Sequence, residues 1–251
     1  MDRREFSKTL IEAVSSYALF QTLFRYDAFA REVRPVTDRW VLALHDMAMD
    51  IRSGRITPHE WQDQIEALYQ RVEFSDLVRM IDFHRLKQGF EYPDLGVNTT
   101  RVQFPELDGL PERLGFTSKV FGMRRDRAII PHGHRNMVSC HYVLQGDLHL
   151  RHYQKVDEDE AHMVIQPTVD DVVGIGTYSS ISDEHNNVHW LSALTQTAFT
   201  FDVIVVDVNG GQWEVDNIDP YAAEDIGGGL IRAPKLDVKT ALEKYGNESH
   251  H

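Results

Sequence analysis

Five histidines fall within the 25 residues from Ile129 to Tyr153, "IIPHGHRNMVSCHYVLQGDLHLRHY". Two of them, His132 and His134, are separated by one glycine. In an extended strand, residues i and i+2 point to the same face. Both imidazoles can therefore aim at one point. Buried same-face histidines need partners, and a metal ion would supply one. A third ligand must come from elsewhere, and His141, His149, His152, His162, His185 and His189 are the candidates. The single cysteine, Cys140, rules out an intrachain disulfide and a Cys-rich zinc site. It is expected to pack in the core. A bound metal must use His, Asp or Glu, which suits iron, manganese, nickel, copper or a His-rich zinc site.

The elements that must position these residues change along the chain. Residues 1–90 read as helical. "TDRWVLALHDMAMDIRSG" has Thr37 as an N-cap and Gly54 as a stop. "TPHEWQDQIEALYQRV" carries Thr57 as N-cap, Pro58 at the first helical position and Glu60 to complete a capping box. "SDLVRMIDFHRLKQGF" reads as a helix from Ser75 to about Gly89. The apolar stripes that include Trp40 and Trp61 are core or dimer contacts in this reading. Residues 91–115 are rich in Pro and Gly and read as a linker. From 116 to 215 short runs of Val, Ile, Phe and Tyr alternate with polar residues, as in a sandwich or barrel. Residues 216–251 read as a mostly irregular tail packed on that barrel, with a short late helix. "GGG" at Gly227 to Gly229 lacks the strand–helix context of a phosphate loop.

Charge excludes some partners. With 39 acidic and 26 basic side chains among 251 residues, the net charge is −13. Such a surface repels nucleic acid and anionic membranes. No apolar run approaches the ~20 residues of a transmembrane helix. The start, "MDRREFSKTL", is similar to a twin-arginine export signal through Arg3, Arg4, Phe6 and Lys8. The segment that follows is too polar for an apolar core and continues as an amphipathic helix. The cytoplasm is the expected compartment, with periplasmic export the alternative.

The run "PHGHRNMVSCHYVLQGDLH" resembles the first metal motif of the cupin superfamily, through His132, His134 and the "VLQG" turn. In that motif a glutamate follows the second histidine by five residues; here the position holds Ser139. A cupin so altered resembles the thiol dioxygenase branch, which comprises cysteine dioxygenase, cysteamine dioxygenase and the plant cysteine oxidases. "NNVHWLSALTQTAFTFDVIVVD" resembles the segment of that branch in which "N-[IV]-H" supplies the third histidine and an apolar strand with an Asp follows. Asn187, Val188, His189 and Asp202 match it, and the "PPY" after the Asp is "VVD" here. The resemblance covers roughly Phe116 to Val208.

It implies a mainly β, double-stranded β-helix (jelly-roll) barrel with an N-terminal α-helical region. It further implies Fe(II), or another divalent metal, on His132, His134 and His189, and O2-dependent oxidation of a small thiol to its sulfinate. Three neutral ligands leave positions free on the ion and keep it dicationic, which favours a thiolate. Asp202 is nominated to orient an imidazole or position substrate. His141 shares the face of Ser139 and either lines the pocket or hydrogen-bonds inside the barrel. Arg135 either clamps a substrate carboxylate or lies on the surface. His185 is the rival third ligand. The partners expected are a small thiol and O2, with a homo-oligomer an option. Two other functions fit the same residues: a non-catalytic metal- or ligand-binding cupin, and a three-histidine dioxygenase acting on a non-thiol.

Overall fold

A computed structural model describes residues 27–104, 109–208 and 210–247, with side chains from residue 39 onward. The twin-arginine-like segment and the closing His250 and His251 lie outside the described residues. The chain divides into two units, 1–42 and 43–251. Within the first, the described residues are helical. Everything below concerns the second, apart from the helix α1 (Asp27–Arg52), which extends over the boundary. That helix runs through Thr37, so Thr37 is not an N-cap. Pro35, which has no backbone N–H to donate, also falls within its bounds.

α2 (Pro58–Tyr69) begins as the sequence predicts. The Thr57 hydroxyl accepts from Glu60 N–H at 3.1 Å, and the Glu60 carboxylate accepts from Thr57 N–H at 2.8 Å. The next segment is two short helices, α3 (Phe74–Met80) and α4 (Phe83–Gln88), rather than one. Asp82 breaks it with a left-handed φ of 51°.

Twelve strands follow among the described residues: β1 (Asn98–Arg101), β2 (Thr117–Arg124), β3 (Ala128–Arg135), β4 (Met137–Gln145), β5 (Leu148–Glu158), β6 (His162–Val173), β7 (Tyr178–Ile181), β8 (Val188–Ala193), β9 (Thr197–Val206), β10 (Glu214–Ile218), β11 (Glu224–Gly227) and β12 (Leu230–Leu236). α5 (Val238–Tyr245) closes the described chain. One sheet has the order β1-β2-β9-β4-β7, the other β10-β3-β8-β5-β6-β12-β11. Strands β2 to β9 thus supply 2-9-4-7 on one side and 3-8-5-6 on the other. That is the strand order of a jelly roll, in which paired strands wind together as a double-stranded helix. The mainly β barrel with N-terminal helices follows the expectation.

Two readings are corrected. The supposed linker carries β1, which pairs with β2. The tail is not mostly irregular: β10 pairs with β3, and β12 pairs with β6, so both extend the second sheet. Gly227 to Gly229, all at positive φ, form the β11–β12 turn.

The barrel interior has an apolar end and a polar end. Met123, Ile129, Val143, Leu148, Leu150, Leu191, Ala193 and Ala198 pack at the first. On the outer face of the first sheet, Phe199 meets Phe83 and Phe90 edge-on, and Trp61 is buried as expected of a core residue.

Candidate metal centre

The polar end holds the histidines. β3 and β8 are neighbours, and His132 stands directly opposite His189 in register. Directly opposed residues share a face. His134, two residues on, shares it too. The His132 and His189 Nε2 atoms are 2.9 Å apart, and those of His134 and His189 are 3.2 Å apart. One ligand atom from each of the three lies within 4.8 Å of the others, and among the described residues these form the group able to hold a metal ion.

The contacts of His132, His141 and His189 assign their tautomers. His132 Nδ1 lies 2.7 Å from the Ile130 carbonyl, which only accepts, so Nδ1 carries the proton. His141 Nδ1 stands against the Asp202 carboxylate, which offers only acceptor oxygens, so the proton is assigned to Nδ1. The His141 Nε2 atom is then an acceptor, and at 2.8 Å it receives the His189 Nδ1 proton. The Nε2 atoms of His132 and His189 therefore face one another with lone pairs and no proton between them. A cation between them removes that repulsion. Imidazole nitrogens bind a divalent ion at about 2.1 Å, so adjacent ligands stand roughly 3 Å apart. The spacings here fit. Burial pushes His132 down to about 4, and holds His134 and His189 well below the usual imidazole range, with the neighbouring imidazoles adding to the effect. All three are neutral at pH 7, the form that binds metal.

Supporting groups set these rings. Asp202 is fully buried; its second oxygen accepts from the Thr200 hydroxyl at 2.7 Å. The chain Thr200–Asp202–His141–His189 thus ends on a ligand nitrogen. Asn187, also fully buried, holds the backbone of His134: its Nδ2 donates to the His134 carbonyl at 2.7 Å and its Oδ1 accepts from His134 N–H at 3.3 Å. Gly133 is needed between the histidines because a Cβ there would lie 2.9 Å from Asn187 Oδ1 and 3.1 Å from Met163 Cε.

The other candidates divide. Ser139 is buried and, two residues from His141 on β4, shares its inner face; among the described residues no carboxylate joins the three histidines. Arg135 points the other way from His132 and His134, and its guanidinium is held by Glu158 and Glu214. The structure therefore does not bring it to the metal centre: strand alternation places it outside, where carboxylates neutralise it. His185 stands against the His59 ring at 5.7 Å, outside the cluster. His149 contacts Asp170, and His162 lies near Asp159. His152 is inside, with its ring 6.3 Å from His189 and its Nε2 3.1 Å from the Ser179 hydroxyl. Burial lowers it to about 3. Strand parity could have placed His152 beside Leu148 and Leu150, but only the register brings it opposite His189. Cys140 is buried, and burial pushes its thiol up. No helix among the described residues is long and apolar enough to cross a membrane.

No family model matches the chain, and no curated protein does. Solved structures with a similar fold include the 11S globulin from Wrightia tinctoria, at 18% identity and TM-score 0.35 over 50% of this chain and 28% of that one. KdgF from Halomonas sp. matches at 15% identity and TM-score 0.32, over 47% of this chain and 86% of that one. A cupin superfamily protein from Desulfitobacterium hafniense matches at 8% identity and TM-score 0.31, over 47% and 84%. This chain spans about a quarter of the globulin. What the strand order and the histidine geometry establish is a jelly-roll barrel with a three-histidine cluster able to hold a metal ion.

Proposed function

We propose that this protein is a non-haem Fe(II)-dependent dioxygenase that oxidises a small thiol to its sulfinate. The observation that carries the reading is a cluster of three neutral imidazoles whose Nε2 atoms converge, with no carboxylate in the group among the described residues. Bound iron would supply positions at which a thiolate and dioxygen can meet. Every protein contribution below concerns that cluster.

His132, His134 and His189 would hold the ion without neutralising it. A carboxylate ligand would offset its charge and weaken its pull on a thiolate. Ser139 stands where such a carboxylate would come from, and its hydroxyl is small and uncharged. Asp202, acting through His141, fixes the ring of His189 and raises its basicity. The apolar end of the barrel excludes water from one side. In the overall reaction dioxygen gives both its atoms to sulfur and accepts the electrons sulfur loses. The S–H and O–O bonds break, and the thiol proton is released with the sulfinate.

Oxygen uptake by anaerobically Fe(II)-loaded protein tests this. The panel is cysteine, cysteamine, 3-mercaptopropionate and a peptide with an N-terminal cysteine. Uptake matched by sulfinate from one of them is the expected result. Iron bound near one equivalent with no uptake from any thiol would overturn the reading, in favour of a non-thiol substrate or a metal-binding module without turnover.

A further inference from the structure

Resting on the metal centre of that reading and not on its thiol chemistry, we infer that Gln62 of α2 is a positioning residue for the metal: through Ser182 and Asn187 it sets the strand that carries His134. The Gln62 carbonyl oxygen accepts from the Ser182 hydroxyl at 2.6 Å. The Ser182 carbonyl accepts from Asn187 Nδ2 at 3.2 Å, and the same nitrogen donates to the His134 carbonyl at 2.7 Å. The Asn187 oxygen accepts the His134 N–H. Gln62, Ser182, Asn187 and His134 are all buried. A ligand of the cluster is thus tied, bond by bond, to a helix outside the barrel.

The sequence puts Gln62 on the face of α2 that packs on the first sheet. Trp61, Ile65 and Tyr69 are buried on that helix too, and Tyr69 stacks on Tyr142 of β4 at 4.9 Å. Glu66, one turn on from Gln62, accepts from the Ser180 hydroxyl. Ser180 points toward α2 because its neighbour Ser179 opposes His141 inside the barrel. β7 ends at Ile181, and Ser182 opens the loop to β8. A glutamine on a buried helix face costs free energy unless its amide is paired. Docking alone would be served by an apolar side chain, as it is at Trp61 and Ile65.

The pairing in this network leaves no slack. A hydroxyl has one proton and two acceptor sites. The Ser182 proton goes to Gln62, and the Glu184 and His185 N–H groups, each at 3.1 Å, fill the acceptor sites. Gln62 Nε2 places its two protons on the Ser180 hydroxyl at 3.2 Å and the His185 carbonyl at 3.4 Å. Asn187 Nδ2 likewise uses both protons, on Ser182 and His134. The backbone closes the loop turn, with Ser182 N–H donating to the His185 carbonyl at 3.0 Å. A buried network with every donor paired rigidifies one arrangement. The position of α2 is therefore passed to Asn187 and on to the backbone of His134.

The test is chelator competition for Co(II), on the full chain and below the melting temperature of each variant. Gln62→Met keeps the length of the side chain and removes its hydrogen bonds. It should weaken Co(II) binding about fivefold, less than the roughly 10- to 100-fold of a direct partner of a ligand. Adding Gln62→Met to Asn187→Ala should lose no further affinity, because the relay is already cut. Glu66→Ala loosens the same helix at Ser180 without touching Ser182, so it should bind Co(II) like the wild type. A Gln62→Met protein that melts lower when metal-free yet keeps wild-type affinity would overturn the inference. So would a loss that adds to that of Asn187→Ala, or an equal loss in Glu66→Ala. If Gln62→Met does not fold, Ser182→Ala carries the same test with the same expected loss. Wild-type protein that binds no Co(II) would sink the metal centre itself, and the inference with it. Thiol turnover enters no arm, so the dioxygenase reading stands or falls separately.

Discussion

His189 Nδ1 lies 2.8 Å from His141 Nε2, and His141 Nδ1 meets Asp202 in turn. One metal-facing imidazole is thus oriented by a second imidazole, and that one by a buried carboxylate. The arrangement makes His141 a positioning residue for the metal. His141→Ala should weaken divalent metal binding about 10- to 100-fold, the range typical of lost outer partners. Competition with a chelator measures it. An unchanged affinity would mean that strand geometry alone orients His189.

The two candidate third ligands predict opposite outcomes for metal content. His189→Ala should abolish stoichiometric binding, as should His132→Ala, because each removes a nitrogen from the cluster. His185→Ala should bind about one equivalent, like the wild type, because His185 packs against His59 instead. Metal analysis after dialysis decides between them. Loss of metal from His185→Ala with a normal fold would refute the assignment.

Much of this site follows from strand parity. His132 and His134 share a face because they are two apart on β3, and the same count puts Ser139 with His141. Parity also puts Arg135 on the opposite face from the histidines, which is where it forms its ion pairs. Gln62 is different. Nothing local distinguishes it from any other helix glutamine, and its relation to Asn187 exists only in the packing of α2 against the β7–β8 loop. β10, β11 and β12 were illegible for a related reason. They add to a sheet edge, bury little apolar surface and take their order from remote partners, so their alternation is weak. The broken α3–α4 segment turns on the backbone of Asp82 alone, which helical periodicity does not register.

Acid should probe the ionic cluster on the outer face of the second sheet. Burial raises the Glu158 carboxyl, but hydrogen bonds and charge from Lys235 and Lys155 outweigh this and hold it at about 2. Its unfolded value is about 4.3. The folded form is thus the weaker proton binder. The resulting stability is complete above the unfolded value and is lost as pH falls from there toward 2. Urea midpoints measured from pH 6 to pH 3 should fall more steeply for wild type than for Glu158→Gln. Parallel curves would mean that Glu158 is as free in the folded state as in the unfolded one.

Asn187 should matter to both stability and metal. Its amide pairs with the carbonyl and the N–H of His134, and its Nδ2 also reaches the Ser182 carbonyl at 3.2 Å. It is fully buried, so Asn187→Ala leaves backbone groups without partners where water cannot easily replace them. Each such group costs about 1–3 kcal/mol. Asn187→Asp keeps the size but aims an oxygen at the two carbonyls that Nδ2 now serves, so it should be no better than alanine. Both variants should lower the denaturation midpoint. Both should also weaken metal binding, because the backbone that carries His134 is no longer held from the β7–β8 loop. Adding metal should therefore raise the melting temperature less in either variant than in the wild type, since ligand stabilisation scales with the logarithm of affinity. An equal metal-induced rise would show that Asn187 supports the fold but has no part in setting His134.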